Sequence, residues 1–307
     1  MLNVSHMLKN KYLHLSILLL CMQAALYAQS DLDSFLVDDS KQPRYIIASF
    51  KATRIVNAHS IETVRKGILD FRITHHFGDI GGNYGGIHTL YGFDNAQDIR
   101  FGFEYGITDR FTAGFGRSKI AENLDFFLKY RLLRQTLDNK MPISVTLFAD
   151  MAITPADNPA VYGDFSNRIS YVYEALIARK FTNALTLQLM PLFLHRNYVA
   201  SPEDANDLFS LGIGGRLKLS KRVSVLGDFY YNFSNYLTPE NGFYLPLGVG
   251  VEIETGGHVF QLFFTNNAAI IENVYIANTR SSWGKGGFRL GFTISRDFAF
   301  NKKRKKD

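Results

Sequence analysis

The chain has 307 residues, 46% of them hydrophobic, 14% aromatic and 20% charged, with 26 Phe and 16 Tyr against a single Trp. This apolar content excludes a disordered polymer and a bundle of membrane helices alike. The formal charge of +6 comes from the two ends. Lys9 and Lys11 at the start and the run Lys302, Lys303, Arg304, Lys305, Lys306, Asp307 account for it, so the body is neutral and no basic groove for a nucleic-acid backbone is expected.

Residues 1–28 read as a secretory signal. Lys9 and Lys11 precede an apolar run from Leu15 to Met22, too short to span a bilayer, and small residues around Ala25 and Ala28 offer cleavage points. The one cysteine, Cys21, falls inside this segment. The mature chain therefore has no disulfide, thiol nucleophile or thiolate metal site, and no cofactor or metal is expected. Residues 29–65 form an N-terminal periplasmic or lumen-inserted extension. Its 46–56 stretch, with Ile46, Ile47, Phe50, Ile55 and Val56, alternates poorly and is compatible with an extra strand, a plug or a lid.

From residue 66 onward the hydrophobic period is 2. In 98–107, Ile99, Phe101, Phe103, Tyr105 and Ile107 share one face and Asp98, Arg100, Gly102, Glu104 and Gly106 the other. The same division recurs in 123–132, 209–219, 243–254 and 287–298, giving each segment one greasy and one polar-plus-glycine side. Twelve strands are predicted, near 66–77, 97–107, 110–118, 123–134, 141–154, 167–180, 184–198, 207–219, 222–233, 243–255, 257–266 and 286–298. Connections on one side are tight, such as Thr108-Asp109 and Ser220-Lys221. Most on the other are long, such as 78–96, 155–166 and 267–285. An even number of ~10-residue strands with this loop asymmetry describes a transmembrane antiparallel up-and-down β-barrel. The predicted fold is all-β, about 12 strands (range 10–14), spanning 66–298, with a basic periplasmic tail over 299–307.

Several positions carry functional expectations. Asp70, Arg72, Arg100, Glu104, Lys129, Arg131, Glu174, Arg216, Asp228 and Glu252 fall on the polar face near mid-strand. Both signs are equally represented, which suits a salt-bridged interior or a narrow channel with a transverse field more than a selective ring of one sign. Tyr105, Phe111, Tyr130, Phe209, Phe233, Phe243, Phe288 and Phe298 near strand ends suit the two interfacial girdles. The glycine-rich stretch from Gly78 to Gly86 is an external loop, with inward folding as an alternative. Gly102, Gly212, Gly214, Gly248, Gly250 and Gly291 sit within strands and read as small side chains easing curvature. His75 and His76 are adjacent and so face opposite sides. With His195 they read as structural, and a lipase, acyltransferase or protease barrel built on them is the weaker alternative.

Taken with His75-His76-Phe77-Gly78, the segments Tyr105-Gly106-Ile107-Thr108-Asp109, Gly114-Phe115-Gly116-Arg117-Ser118, Lys129-Tyr130, Thr265-Asn266 and Gly291-Phe292-Thr293-Ile294-Ser295-Arg296 resemble a membrane-bound β-barrel family of unknown function from Bacteroidota-type Gram-negative bacteria, over roughly residues 45–300. The resemblance implies an outer-membrane barrel and carries no catalytic residues. The expected function is non-enzymatic: a narrow passive channel, or a structural and interaction barrel, in the outer membrane after signal cleavage. A transporter of hydrophobic small molecules with 29–65 as its plug is the first alternative. Expected partners are outer-membrane lipids and lipopolysaccharide, the barrel assembly machinery and a periplasmic partner at the basic tail, with no nucleic acid.

Overall fold

The computed structural model describes residues 44–156, 158, 161–255 and 258–299. The signal segment 1–28, the start of the extension and the basic tail beyond 299 lie outside the described residues. Alternating sequence becomes strand throughout: β1 (Ile68–Asp79), β2 (Ala96–Gly106), β3 (Phe111–Ser118), β4 (Leu124–Leu133), β5 (Ser144–Ile153), β6 (Ile169–Lys180), β7 (Leu185–Arg196), β8 (Asp207–Lys218), β9 (Val223–Phe233), β10 (Leu247–Thr255), β11 (His258–Thr265) and β12 (Arg289–Ala299). Each strand pairs antiparallel with its chain neighbours, and β1 closes on β12 from Ile68 opposite Ala299 to Asp79 opposite Arg289. Closure leaves no edge, so every strand has hydrogen-bonding neighbours on both sides.

The two ends of the barrel differ. At the end where β1 starts and β12 finishes (the terminal end) most connections are short, as in the turn from Ile107 to Arg110. At the other end all but the β3–β4 connection are long, and one, 266–288, carries a short helix α1 (Glu272–Tyr275). The greasy face points outward: Phe101, Phe103, Tyr105, Leu128, Ile213 and Leu262 are all exposed on the outer wall. The polar face points inward and is buried, Arg72, Arg100 and Lys129 being at most 1% exposed. The inward-facing positions are thus covered by something other than the wall.

What covers them comes from both ends. Residues 44–66 enter the lumen from the terminal end and fold into a hairpin. Ile55 N–H donates to Ala58 O (2.8 Å), Ser60 N–H to Thr53 O (2.9 Å), and Arg54 bridges His59. Phe50, Ile55, Val56 and Ile61 on this hairpin are buried against Met190, Leu226 and their neighbours in a lumenal core. From the loop end, residues 267–277 fold inward, burying Ile270, Ile271, Tyr275 and Ile276.

Two expectations need correction, and the inserted loop adds a feature beside a third. The strand predicted from 243 starts at Leu247, because Pro246 has no N–H to give a ladder; only its carbonyl takes part, accepting Tyr230 N–H at 3.0 Å. The stretch from Gly78 to Gly86 stays outside the lumen, in line with its default reading as an external loop, with Tyr84 exposed at the rim; the loop that folds inward is 266–288. The in-strand glycines do more than ease curvature. A Cβ at Gly214 would lie 2.5 Å from Ile55 Cδ1, and one at Gly248 would lie 2.6 Å from Val56 Cγ1, so these strands are bared where the hairpin presses on them.

Candidate functional site

The site is the occupied lumen, and its centre is the tip of the hairpin. In the turn Ile55-Val56-Asn57-Ala58 successive backbone N–H groups converge on one point. The Asp228 carboxylate of β9 fills it: Oδ2 accepts the N–H of Val56 (2.8 Å), Asn57 (2.8 Å) and Ala58 (3.1 Å), while Oδ1 accepts the Asn57 amide (2.7 Å). A concave run of N–H groups is an anion nest, and here the barrel wall supplies the anion. Thr265 Oγ1 donates to Asn57 Oδ1 (3.1 Å), fixing the amide from β11.

The body of the hairpin is held by lumenal side chains instead of by a strand ladder. Lys129 Nζ donates to the carbonyls of Thr53 (3.2 Å), Ser60 (2.7 Å) and Glu62 (2.9 Å). Gln188 accepts Ile61 N–H and donates to His59 O, both at 2.8 Å. Thr146 Oγ1 donates to Ile61 O (2.7 Å), and Thr53 Oγ1 donates to Glu104 Oε1 (2.9 Å) while accepting from Arg72 (2.8 Å). Nearer the terminal end, Glu62 accepts Ser49 N–H (2.8 Å) and pairs with Arg131 (2.9 Å). Isolated bridges mark the entry and exit, Tyr45 with Thr136 and Lys66 with Gly106.

Arg54 reaches the opposite end. Its guanidinium donates to Asn57 O (2.9 Å) and to Glu272 Oε1 of α1 (3.1 Å), with both side chains buried. His59 lies under Arg54 Nη2 (2.9 Å) and between the rings of Phe127 and Phe148, at 4.9 and 4.2 Å. Burial first, then the charges of Arg54, Lys129, Arg100 and Arg72, hold the His59 imidazole well below its usual value, so it is neutral in the docked hairpin. The inserted loop is tied down in its turn. Asn232 donates to Ile276 O (2.6 Å), Asp98 accepts Ile270 N–H (3.1 Å), and His76 Nδ1 lies 3.0 Å from Asn267 O.

The lumenal charges sort as follows. Arg72 pairs with Asp70 (3.4 Å), and Arg216 with Glu252 (2.9 Å) and Glu254 (3.1 Å). Arg100 pairs with Asp125, and Glu174 accepts the Tyr230 hydroxyl (2.7 Å). Arg72, Glu104, Lys129, Arg131 and Asp228 bond the hairpin, while Arg100, Glu174, Arg216 and Glu252 bond neighbours on the wall. Sequence reading did not single out Arg54, Asn57, His59, Asp125, Gln188, Tyr230 or Glu272. For the hairpin residues no periodic signal existed; for Asp125, its place on the polar face of β4 was a usable one.

Of the aromatic positions, Tyr105, Phe111, Tyr130 and Phe298 lie at the terminal rim and Phe209, Phe233 and Phe288 at the loop rim, on the outer face. Phe243 does not: it is buried in the loops against Tyr236 (5.5 Å), with the Arg280 guanidinium 3.4 Å over its ring. His75 stacks on Phe292 (5.3 Å) outside the barrel, and His195 bonds Asp207 (2.6 Å) and Asn197 (2.9 Å) at the rim. None of these histidines contacts a serine among the described residues.

Comparison with solved structures places porins beside the chain. The NanC porin has 11% identity and a TM-score of 0.47, covering 75% of this chain and 98% of its own. The KdgM porin has 8% and 0.44, covering 76% and 99%. The Acinetobacter baumannii outer membrane protein Omp33 has 10% and 0.41, covering 75% and 97%. No curated protein matches the chain. A family model described as a membrane bound beta barrel domain (DUF5777) matches residues 50–298, a span that includes the tip of the hairpin, its Asp228 seat and the inserted loop. The chain therefore belongs to this family of membrane-bound β-barrels.

Proposed function

We propose that the protein is a non-enzymatic outer-membrane barrel whose polar passage is closed at rest by the hairpin of residues 44–66. In this orientation the terminal end faces the periplasm and the long loops face outside. The observation that carries the reading is the seat of the hairpin tip, three backbone N–H groups and one amide on the Asp228 carboxylate. Outside its entry and exit the hairpin is held by side chains and not by wall ladders, so it can leave as a unit while the barrel stays closed. The wall it uncovers carries Arg72, Arg100, Glu104, Lys129, Asp228 and Glu252, groups that water solvates readily, which suits small polar solutes. The continuous ladder around all twelve strands supports passage along the axis over lateral exit of a hydrophobic cargo.

The test is planar-bilayer conductance of the refolded mature protein, intact and lacking residues 44–66. Closed or rarely opening intact barrels, together with frequent stable openings in the shortened form, are expected. Folded, heat-modifiable barrels that stay silent in both forms would remove the channel reading and leave a structural or interaction barrel anchored among outer-membrane lipids.

A further inference from the structure

The loop end carries a second concave site, which touches no residue of the hairpin and whose ligand binding is measured without conductance. Its volume is about 410 Å³ and its walls come from five loops, those preceding β4, β6, β8, β10 and β12. That volume lies in the ~300–1,000 Å³ range of small-molecule sites. Three kinds of group converge there.

The first is aromatic: Tyr162 and Tyr198 meet edge to face at 6.2 Å, and Tyr236 also lines the site. The second is cationic. Arg168 lies 5.3 Å over the Tyr162 ring and donates to the carbonyls of Thr154 and Ala156, and Arg280 covers Phe243; neither has a carboxylate partner among the described residues. Arg196 is neutralised by Asp204, in two hydrogen bonds of 3.0 Å. The lining thus keeps two uncompensated positive charges. The third is polar and unpartnered. Asn273 is 8% exposed and lines the site; its Nδ2 donates to Ser170 Oγ (2.8 Å) while its Oδ1 has no partner, and neither has Arg196 Nε. A buried acceptor and a buried donor in the wall of one cavity are hydrogen-bonding capacity that the fold itself does not use.

We propose that this cup binds a carboxylate-bearing saccharide. A pyranose ring presents flat C–H faces and a rim of hydroxyls, matching tyrosine rings bordered by amides and guanidiniums. A fatty chain would leave the amides unpaired, and a bare inorganic anion would leave the rings unused. The two guanidiniums bond only neutral groups, Arg280 giving Nε to Asn278 Oδ1 (2.8 Å) and Nη1 to Asn241 O (3.2 Å), so their charges select a carboxylate over a neutral sugar through the Nη2 groups left over.

Titration calorimetry on the folded full-length mature protein tests this, with trigalacturonic acid and its uncharged methyl ester as probes. The acid is expected to bind at least roughly tenfold tighter than the ester. Arg168→Gln, Arg280→Gln and Asn273→Asp should each weaken the acid by roughly tenfold while leaving the ester nearly unchanged, and Tyr162→Ala should weaken both. Equal binding of acid and ester, absence of binding by either, or Arg168→Gln and Arg280→Gln proteins that bind like the parent would overturn the proposal. So would displacement of the trisaccharide by equimolar acetate or inorganic phosphate, which would mean a site for simple anions. Heat-modifiability confirms that each variant is folded. None of these outcomes depends on conductance, so failure here leaves the reading of the hairpin untouched.

Discussion

At the scale of single residues, the closed state rests on a few buried polar contacts whose removal has a calculable sign. Asp228 accepts four hydrogen bonds from the hairpin tip. Asp228→Asn keeps the shape, removes the charge and turns one acceptor into a donor facing N–H groups. Hydrogen bonds to a charged group contribute about 1.5–3 kcal/mol each, so loss of at least that much docking energy is expected. It would appear as a higher open probability in bilayers with unchanged heat-modifiability; a variant as silent as the parent would mean the tip is not what holds the hairpin. His59 adds a pH dependence. Its imidazole is neutral when docked, and regains the ordinary value of about 6.5 once the hairpin leaves. Released protein then binds more protons, so the closed state keeps its full stability above that value and loses it as pH falls below. Openings should increase from pH 7.5 to pH 5.5, and His59→Gln should flatten that part of the profile. The basis of this behaviour was not visible in the sequence: Asp228 stood out as a polar-face residue, but nothing in 46–62 marked its partner.

At the scale of elements, the strands were legible because a wall between lipid and a polar interior imposes a period of 2 on its residues. A hairpin surrounded on all sides by side chains has no face to alternate, and its apolar residues, Phe50, Ile55, Val56 and Ile61, follow the pockets of the wall. This is why 46–56 admitted three readings. The inserted loop was hidden for a related reason: Ala268-Ala269-Ile270-Ile271 is an apolar run with no period, between segments that have one. The wall glycines were visible, yet what they make room for was not. Gly214 is the sharpest case, because it faces Ile55 and its own strand is otherwise regular. Gly214→Val adds a β-branched side chain suited to a strand but places it where Ile55 sits. The barrel should fold with normal heat-modifiability while the hairpin is displaced, giving protease cleavage within 44–66 and conductance close to that of the shortened protein. Gly215→Val, one position along and facing outward, is the control and should remain closed.

At the scale of the whole molecule, the filled lumen joins two segments that enter from opposite ends, and among the described residues they meet at Glu272, which pairs with Arg54 and has the neutral His59 Nε2 4.0 Å away. The tip of a hairpin that enters from the terminal end is thereby bonded to a loop from the opposite rim, and α1 of that loop also supplies Asn273 to the cup. A change in the position of the loop therefore alters the energy of the docked hairpin directly, without passing through the wall. Removing one member of a buried ion pair leaves the other charge unpaired at a cost of about 3–5 kcal/mol, whereas removing both leaves a neutral contact that is often no less stable than the pair. Glu272→Leu alone should strand the Arg54 guanidinium and open the barrel, and Arg54→Met alone should do the same through Glu272. The double substitution Arg54→Met with Glu272→Leu should close it again, well below the sum of the single effects in open probability. Additive effects would mean that each side chain acts through its other neighbours, Asn57 and His59 for Arg54 and Tyr275 for Glu272, and that the two ends of the lumen are independent plugs. Non-additive recovery would make the contact an energetic link between the two faces of the membrane, set where the hairpin tip and the inserted helix meet.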